Sequence, residues 1–134
     1  MADIVPVAAS VVKYTGASTD TVTAGEAVTQ GMTVYQHTDG KMYKALCDTA
    51  AHAACVGVSL NSASAGQPLE ILKGGGLNPG VAVVVGVVYG VTDTAGGISD
   101  VVDRGATDYL TILGVATTTS RINVAINASG AVIA

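Results

Sequence analysis

Cys47, His52 and Cys55, with His37 upstream, are the residues of this chain whose types suit a transition-metal site. Zinc takes thiolates and imidazoles at a few recurring spacings, and a C-x7-C pair with a histidine between the cysteines matches none of the common frameworks. Two small, partly buried thiols fit better, with a Cys47–Cys55 disulfide as the alternative. Asp100, Asp103 and Asp108 offer hard oxygen ligands close together. However, "DVVDRGATD" lacks the dense alternation of oxygens in a calcium loop, so a solvated acidic edge beside Arg104 is expected. In "KGGGLNPG" the lysine precedes the glycines and no Ser or Thr stands where magnesium would need a ligand. That stretch is expected to be a flexible connector, not a phosphate loop. Neither a G-x-S-x-G elbow nor an H-E-x-x-H helix occurs. The expectation is a protein that is not an enzyme, with no metal and no cofactor.

The elements that would carry any site follow from composition. A chain of 134 residues suits one domain with room for one modest core. Its apolar fraction of 49% comes mainly from 21 valines and 21 alanines, without Phe or Trp. Valine and the 15 threonines are β-branched and pack well on a pleated surface, and 17 glycines supply punctuation. The fold class is therefore all-β, a small sandwich or barrel. The best helical stretch, Asp48 to Ala54, is too short to stand alone.

Charge acts by exclusion. Ten acidic and six basic residues give a net charge of −4, and no Lys/Arg cluster exists to hold a phosphate backbone, so no nucleic-acid partner is expected. Only 12% of residues are charged, about half the usual share, which favours burial against a partner or further copies of the chain. The apolar run "VAVVVGVVYGV", Val81 to Val91, does not make a membrane span. As a helix its eleven residues cover only about half of a hydrocarbon core, and no second run exists to build a barrel. "MADIVPVAASVVKYTG" lacks the basic flank of a secretory signal, so the chain is expected to stay where it is made.

An internal repeat organises the sequence. "AGEAVTQGMTVYQHTDGKMY" from Ala24 and "CVGVSLNSASAGQPLEILKGGGL" from Cys55 are followed by "PGVAVVVGVVYGVTDTAGGI" from Pro79 and "LGVATTTSRINVAINASGAVI" from Leu113. Gly25 and Gly31 match Gly80 and Gly86, Val34-Tyr35 matches Val88-Tyr89, and Val56-Gly57-Val58 matches Leu113-Gly114-Val115. Ile71 before Gly74 matches Ile126 before Gly130. Two copies are too few for a repeat array, so the reading is one domain over 22–134, with pseudo-repeats at about 24–76 and 79–133.

Within the copies, strands are expected over Ala27–Thr29, Thr33–His37, Met42–Ala45, Ala54–Leu60 and Leu69–Leu72, then over Val81–Val85, Val87–Thr92, Asp100–Val102, Thr111–Ala116 and Ile122–Ile126. "TDG" at Thr38 to Gly40 is a hairpin signal, and "NASG" at Asn127 to Gly130 a turn signal. Gly86 divides the valine run into two short adjoining strands or a bulged one. Because Val83-Val84-Val85 and Val87-Val88 are apolar on both faces, something must cover each face. Tyr35 and Tyr89 fall at matching places and suit core packing with a wet hydroxyl.

On these residues a resemblance rests. Gly25, Val28 and Gly31, then Gly57, Val58, Ser59, Ala63, Gly66, Gln67, Leu69 and Ile71, follow a "G-x-x-V-x-x-G" start and a "G-V-(A/S)-x-x-x-A-x-x-G-Q" continuation. In this the chain resembles the capsid decoration, or cement, proteins of tailed bacteriophages; "GVVYGVTDTAGGISDVV" and "DYLTILGVAT" are similar to phage structural proteins of the same kind. The resemblance covers most of the chain after about Val22. It implies a virion protein, made in the host cytoplasm, that binds the outer surface of an assembled capsid without catalysis. The implied partners are the phage major capsid protein and the chain itself, as a homotrimer or else a dimer. A tail or fibre subunit, or a glycan-binding β module, is the alternative.

Residues 1–21 have apolar positions but no turn chemistry before Gly16, which suits an extended N-terminal arm that adds along another subunit's edge. The expected interaction residues are Ile4, Val5, Val7, Val11 and Val12 in that arm, and Val84, Val85, Val87 and Val88 in the valine run.

Overall fold

β-Branched residues between glycine turns produce strands almost throughout. The computed structural model describes residue 4 and residues 10–92, 94–101 and 108–132, the last four of these by backbone alone. In chain order the elements are β1 (Val12–Lys13), β2 (Ser18–Thr23), β3 (Thr33–Gln36), β4 (Met42–Lys44), α1 (Ala50–Ala53), β5 (Cys55–Ser59), β6 (Pro68–Asn78), β7 (Val88–Val91), β8 (Ile98–Asp100), β9 (Tyr109–Thr118) and β10 (Arg121–Val132). The protein is all-β: the strands form one curled sheet in which every ladder is antiparallel. Helix α1 is a single turn, capped where the Thr49 hydroxyl accepts the His52 N–H.

The strand order β4-β3-β5-β6-β10-β9-β7-β8 is a palindrome of two four-strand halves meeting at β6 and β10. The two halves correspond to the two sequence copies. Their ladders match in detail: Val58 faces Leu72 and Ser59 faces Ile71, as Val115 faces Asn123 and Ala116 faces Ile122. Two sequence pairings shift in register. Ile71 answers to Ile122, not Ile126, because Thr119 and Ser120 alone join β9 to β10 where residues 60–67 join β5 to β6. Tyr89, opposite Gly114, takes the place of Val34, opposite Gly57. The slip of one residue turns Tyr35 to the other face of its strand. Both tyrosines are buried all the same.

β6 is the strand on which the halves depend, since it pairs with β5, β10, β1 and β2. "KGGGLNPG" is therefore not a connector: Gly74 to Asn78 lie inside β6. Glycine is needed at Gly75, which has φ +98°, a conformation that side chains disfavour, and where a Cβ would meet the Ala17 backbone at 2.8 Å. At Gly76 a Cβ would run into the Arg121 guanidinium, which lies 4.8 Å over the Tyr14 ring.

Three further expectations are corrected. Residues 10–21 do not form a projecting arm: Val11 is buried in the main core, and β1 and β2 pair with β6 of the same chain. Val11 buries its side chain in the core, and Ser18–Thr23, though its side chains stay largely exposed, satisfies its backbone along β6. "NASG" is not a turn but part of β10, where the ladder to β9 slips at two bulges. Ala27–Thr29 makes only an isolated bridge, Val28 to Ala63, and Val81–Val85 is no strand. The hairpin at Thr38 to Gly40 forms as expected, with Gly40 at φ +82° and Asp39 Oδ1 accepting the Lys41 N–H at 2.9 Å.

Both ends of the sheet are occupied. Beside β4, the Gly25 N–H donates to the Met42 carbonyl at 2.8 Å and the Glu26 carboxylate accepts the Lys44 N–H at 2.9 Å. Beside β8, the Ile4 N–H donates to the Ile98 carbonyl at 2.9 Å. The main core, including Tyr35, Cys55, Val58, Leu72, Leu77, Tyr89, Ile98, Leu113 and Ile122, joins both halves, and a smaller cluster around Val28, Val34, Leu69 and Ile71 belongs to the first.

Gly57 and Gly114 hold matching places, each with a backbone carbonyl of the next strand, that of Leu72 or Asn123, where a Cβ would go. Gly114→Ala is expected to destabilise the fold by about 1–3 kcal/mol, as overpacking does, measured by urea unfolding. Unchanged stability would show that the β9–β10 ladder has slack.

Candidate interaction surface

Val84 to Val87 form a turn, closed by the Val87 N–H donating to the Val84 carbonyl at 3.1 Å, with Gly86 at φ +84° where the turn requires positive φ. It is tied to β9 by the Gly86 N–H to the Ala116 carbonyl at 2.8 Å and the Ala116 N–H to the Val87 carbonyl at 3.0 Å. The Val83 N–H bonds the Thr119 carbonyl at 2.9 Å, and the Val84 N–H donates to the Tyr89 hydroxyl at 3.0 Å. With the Val83, Val84 and Gly86 amides consumed by these bonds and Gly86 reversing the chain, this half of the valine run does not pair as a strand.

The turn places apolar side chains in solvent. Val84 is 52% and Val85 57% exposed, whereas Val83 is buried in the core. Val88, half-buried, stands directly across the ladder from Val115, which is 39% exposed. Val87 is half-buried and packs against the core. Val115 belongs to this patch although the sequence did not single it out, and only strand pairing brings it there. Of the arm residues, Val5 and Val7 lie outside the described residues, Ile4 bridges Ile98, Val11 is buried and Val12 is 52% exposed. Among the described residues nothing joins Val12 to the valine turn.

The metal-type residues do not converge. Among the described residues no group of three or more His, Cys, Asp or Glu could hold a metal. No disulfide joins Cys47 and Cys55, and both are buried. Asp103 and Arg104 lie outside the described residues; Asp100 is not on a solvated edge but buried in β8, opposite Tyr89. Instead, the histidines join tyrosines. Pairing of β3 with β4 sets Tyr35 opposite Tyr43, with His52 5.2 Å from the Tyr35 ring and His37 5.2 Å from that of Tyr43. Asp48 Oδ1 lies 2.8 Å from His52 Nδ1, and the Tyr43 hydroxyl donates to Asp39 Oδ2 at 2.8 Å. The Lys41 N–H, and then the Tyr43 hydroxyl, hold the Asp39 carboxyl below its ordinary range, and the same carboxylate raises Tyr43. Burial, then the Glu26 charge, raises Tyr35. The sequence signal for this cluster was the hairpin itself, which fixes Tyr35 and Tyr43 across from each other.

Among the described residues no helix is long and apolar enough to cross a membrane. Burial pushes the Cys55 thiol from an ordinary 9.0 up to about 11. The folded chain then keeps a proton that the unfolded chain releases, so the stabilisation is complete below pH 9 and is lost as pH rises to about 11. Over that window, urea unfolding of the native protein should lose about 2–3 kcal/mol more than that of Cys55→Ala. Equal losses would place the Cys55 thiol in contact with water.

No protein-family model and no curated protein sequence matches this chain, which leaves its surface as the guide to what it does.

Proposed function

We propose that this protein is a structural component of a virion, a decoration or cement protein that binds the outer surface of an assembled tailed-phage head and stabilises it. The observation that carries the reading is the valine turn. A rigid, hydrogen-bonded loop presents Val84 and Val85 to solvent beside the Val88–Val115 pair, on a scaffold with no cluster of metal-ligating residues among the described ones. Exposed apolar side chains grouped on a fixed element mark a contact surface. A cement protein performs no turnover; it has to bury surface, and low charge reduces the desolvation cost of doing so. The sequence resemblance to phage decoration proteins supports the same reading.

The partners in this reading are the major capsid protein and further copies of the chain, with a homotrimer ahead of a dimer, and neither nucleic acid nor membrane takes part. The protein is made in the host cytoplasm and ends on the outer capsid surface. A second reading, a tail or fibre subunit or a glycan-binding module, is favoured by one observation. The rings of His37, Tyr43 and His52, packed around buried Tyr35 and flanked by Asp39 and Asp48, combine ring faces with carboxylates as sugar-binding surfaces do.

Light scattering on the purified protein, followed by sedimentation with undecorated phage heads, tests the first reading. A defined oligomer that pellets with heads and raises their heat resistance is expected. Val84→Asp should reduce head occupancy at least tenfold, because burying an unpaired carboxylate costs more than about 1.4 kcal/mol. A protein that ignores heads but is retained by immobilised glycans, and loses retention on Tyr43→Ala, would overturn the cement reading in favour of the second.

A further inference from the structure

The valine turn has a twin in the first half of the chain. There the Met32 N–H donates to the Thr29 carbonyl at 3.2 Å, with Gly31 at φ +92°. The Gly31 N–H bonds the Ser59 carbonyl at 2.9 Å, the Ser59 N–H bonds the Met32 carbonyl at 2.8 Å, and the Val28 N–H bonds the Ala63 carbonyl at 2.9 Å. Each of these bonds repeats one at Val83 to Val87, so Gln30 stands where Val85 stands. The surroundings differ. Gln30 Nε2 donates to the Val11 carbonyl at 2.7 Å, so the segment Val11 to Lys13 of the same chain covers the first turn at Gln30, with Thr29 left exposed. Among the described residues no such segment covers the second turn. The polarity is also inverted: the covered turn carries polar Thr29 and Gln30, and the uncovered one carries Val84 and Val85.

We propose that the Val84–Val85 turn docks an extended, β-branched segment of a different protein, lying on it as Val11 to Lys13 lies on Gln30. The proposal rests on the reading of this turn as a contact surface, and names what touches it. Two observations select a segment from another protein over a second copy of this chain. The patch of Val84, Val85, Val88 and Val115 is far smaller than the roughly 800 Å² per partner that a stable face-to-face dimer takes, whereas one strand-like segment can be seated by so small an anchor. Among the described residues, the chain's own segment of the required kind is already in use, with Val11 buried and β1 paired to β6.

The probe is a synthetic peptide of residues 10–16, capped at both ends, titrated into isotope-labelled protein and followed by the amide and methyl signals of Val84, Val85, Val88 and Val115. Saturable shifts at those residues are expected. V85D should weaken binding at least tenfold, and V85Q, which restores the twin's amide donor, should tighten it about threefold, as one added hydrogen bond does. Absence of shifts at millimolar peptide, or shifts confined to the surroundings of Gln30, would overturn the proposal. Tighter binding by the native protein than by V85Q would mean undirected apolar adhesion and would overturn the twin geometry. Sedimentation of the protein alone, without peptide, should be the same for native and V85D; an oligomer that V85D dissociates would assign the turn to a second copy. None of these readouts involves phage heads, so the cement reading stands or falls separately.

Discussion

The backbone approach of Ala17 to Gly75 is the constraint on which the structure depends. β6 has to serve four other strands, and it does so with a glycine at φ +98° where the Ala17 backbone comes close, while a Cβ at Gly76 would require the Arg121 guanidinium to move. The halves of the sheet meet at this point, through Val124 opposite Gly75 and Ala125 opposite Gly74. Glycine normally weakens a strand through lost entropy and missing packing. Here that cost is offset by joining two short sheets, neither with a large core of its own, around one shared apolar cluster.

The halves share a plan without sharing surfaces. Val58 is fully buried where Val115 is partly exposed, and Gln30 is bridged to Val11 where Val85 meets solvent. Matching backbones with divergent side chains are what a duplicated unit becomes when one copy turns inward and the other faces out. The first half is covered on both faces, by the shared core on one and by its own smaller cluster on the other. The second half keeps the free apolar positions.

Much of this was legible in the sequence because it depends on local chemistry. β-Branching gave the fold class, Asp39-Gly40 gave the hairpin, and spaced glycines gave the repeat. What was not legible depends on long-range competition. Residues 10–21 look like an arm because nothing local says that β6 has an unfilled edge waiting for them. Val81–Val85 looks like a strand until Gly86 and the Tyr89 hydroxyl take up its hydrogen-bonding groups. The valine turn was half-read: its residues were named, but their exposure comes from a turn, and Val115 enters only through pairing with Val88. The Tyr–His cluster went unread as a group because His52 reaches Tyr35 through α1, a contact that spacing does not encode.

The closed ends of the sheet bear on how such a chain behaves in a crowd. An apolar β protein with few charges is a natural seed for fibres, because each open outer strand is a template for the next molecule. Here the Glu26 carboxylate and the Gly25 amide occupy groups beside β4, and Ile4 bridges Ile98 of β8. Neither terminal strand of the main ladder offers a bare template for growth. What remains for a neighbour is β2, paired on one side only among the described residues, and its largely polar, exposed Ser18–Thr23 side chains make it a poor seed for an apolar fibre.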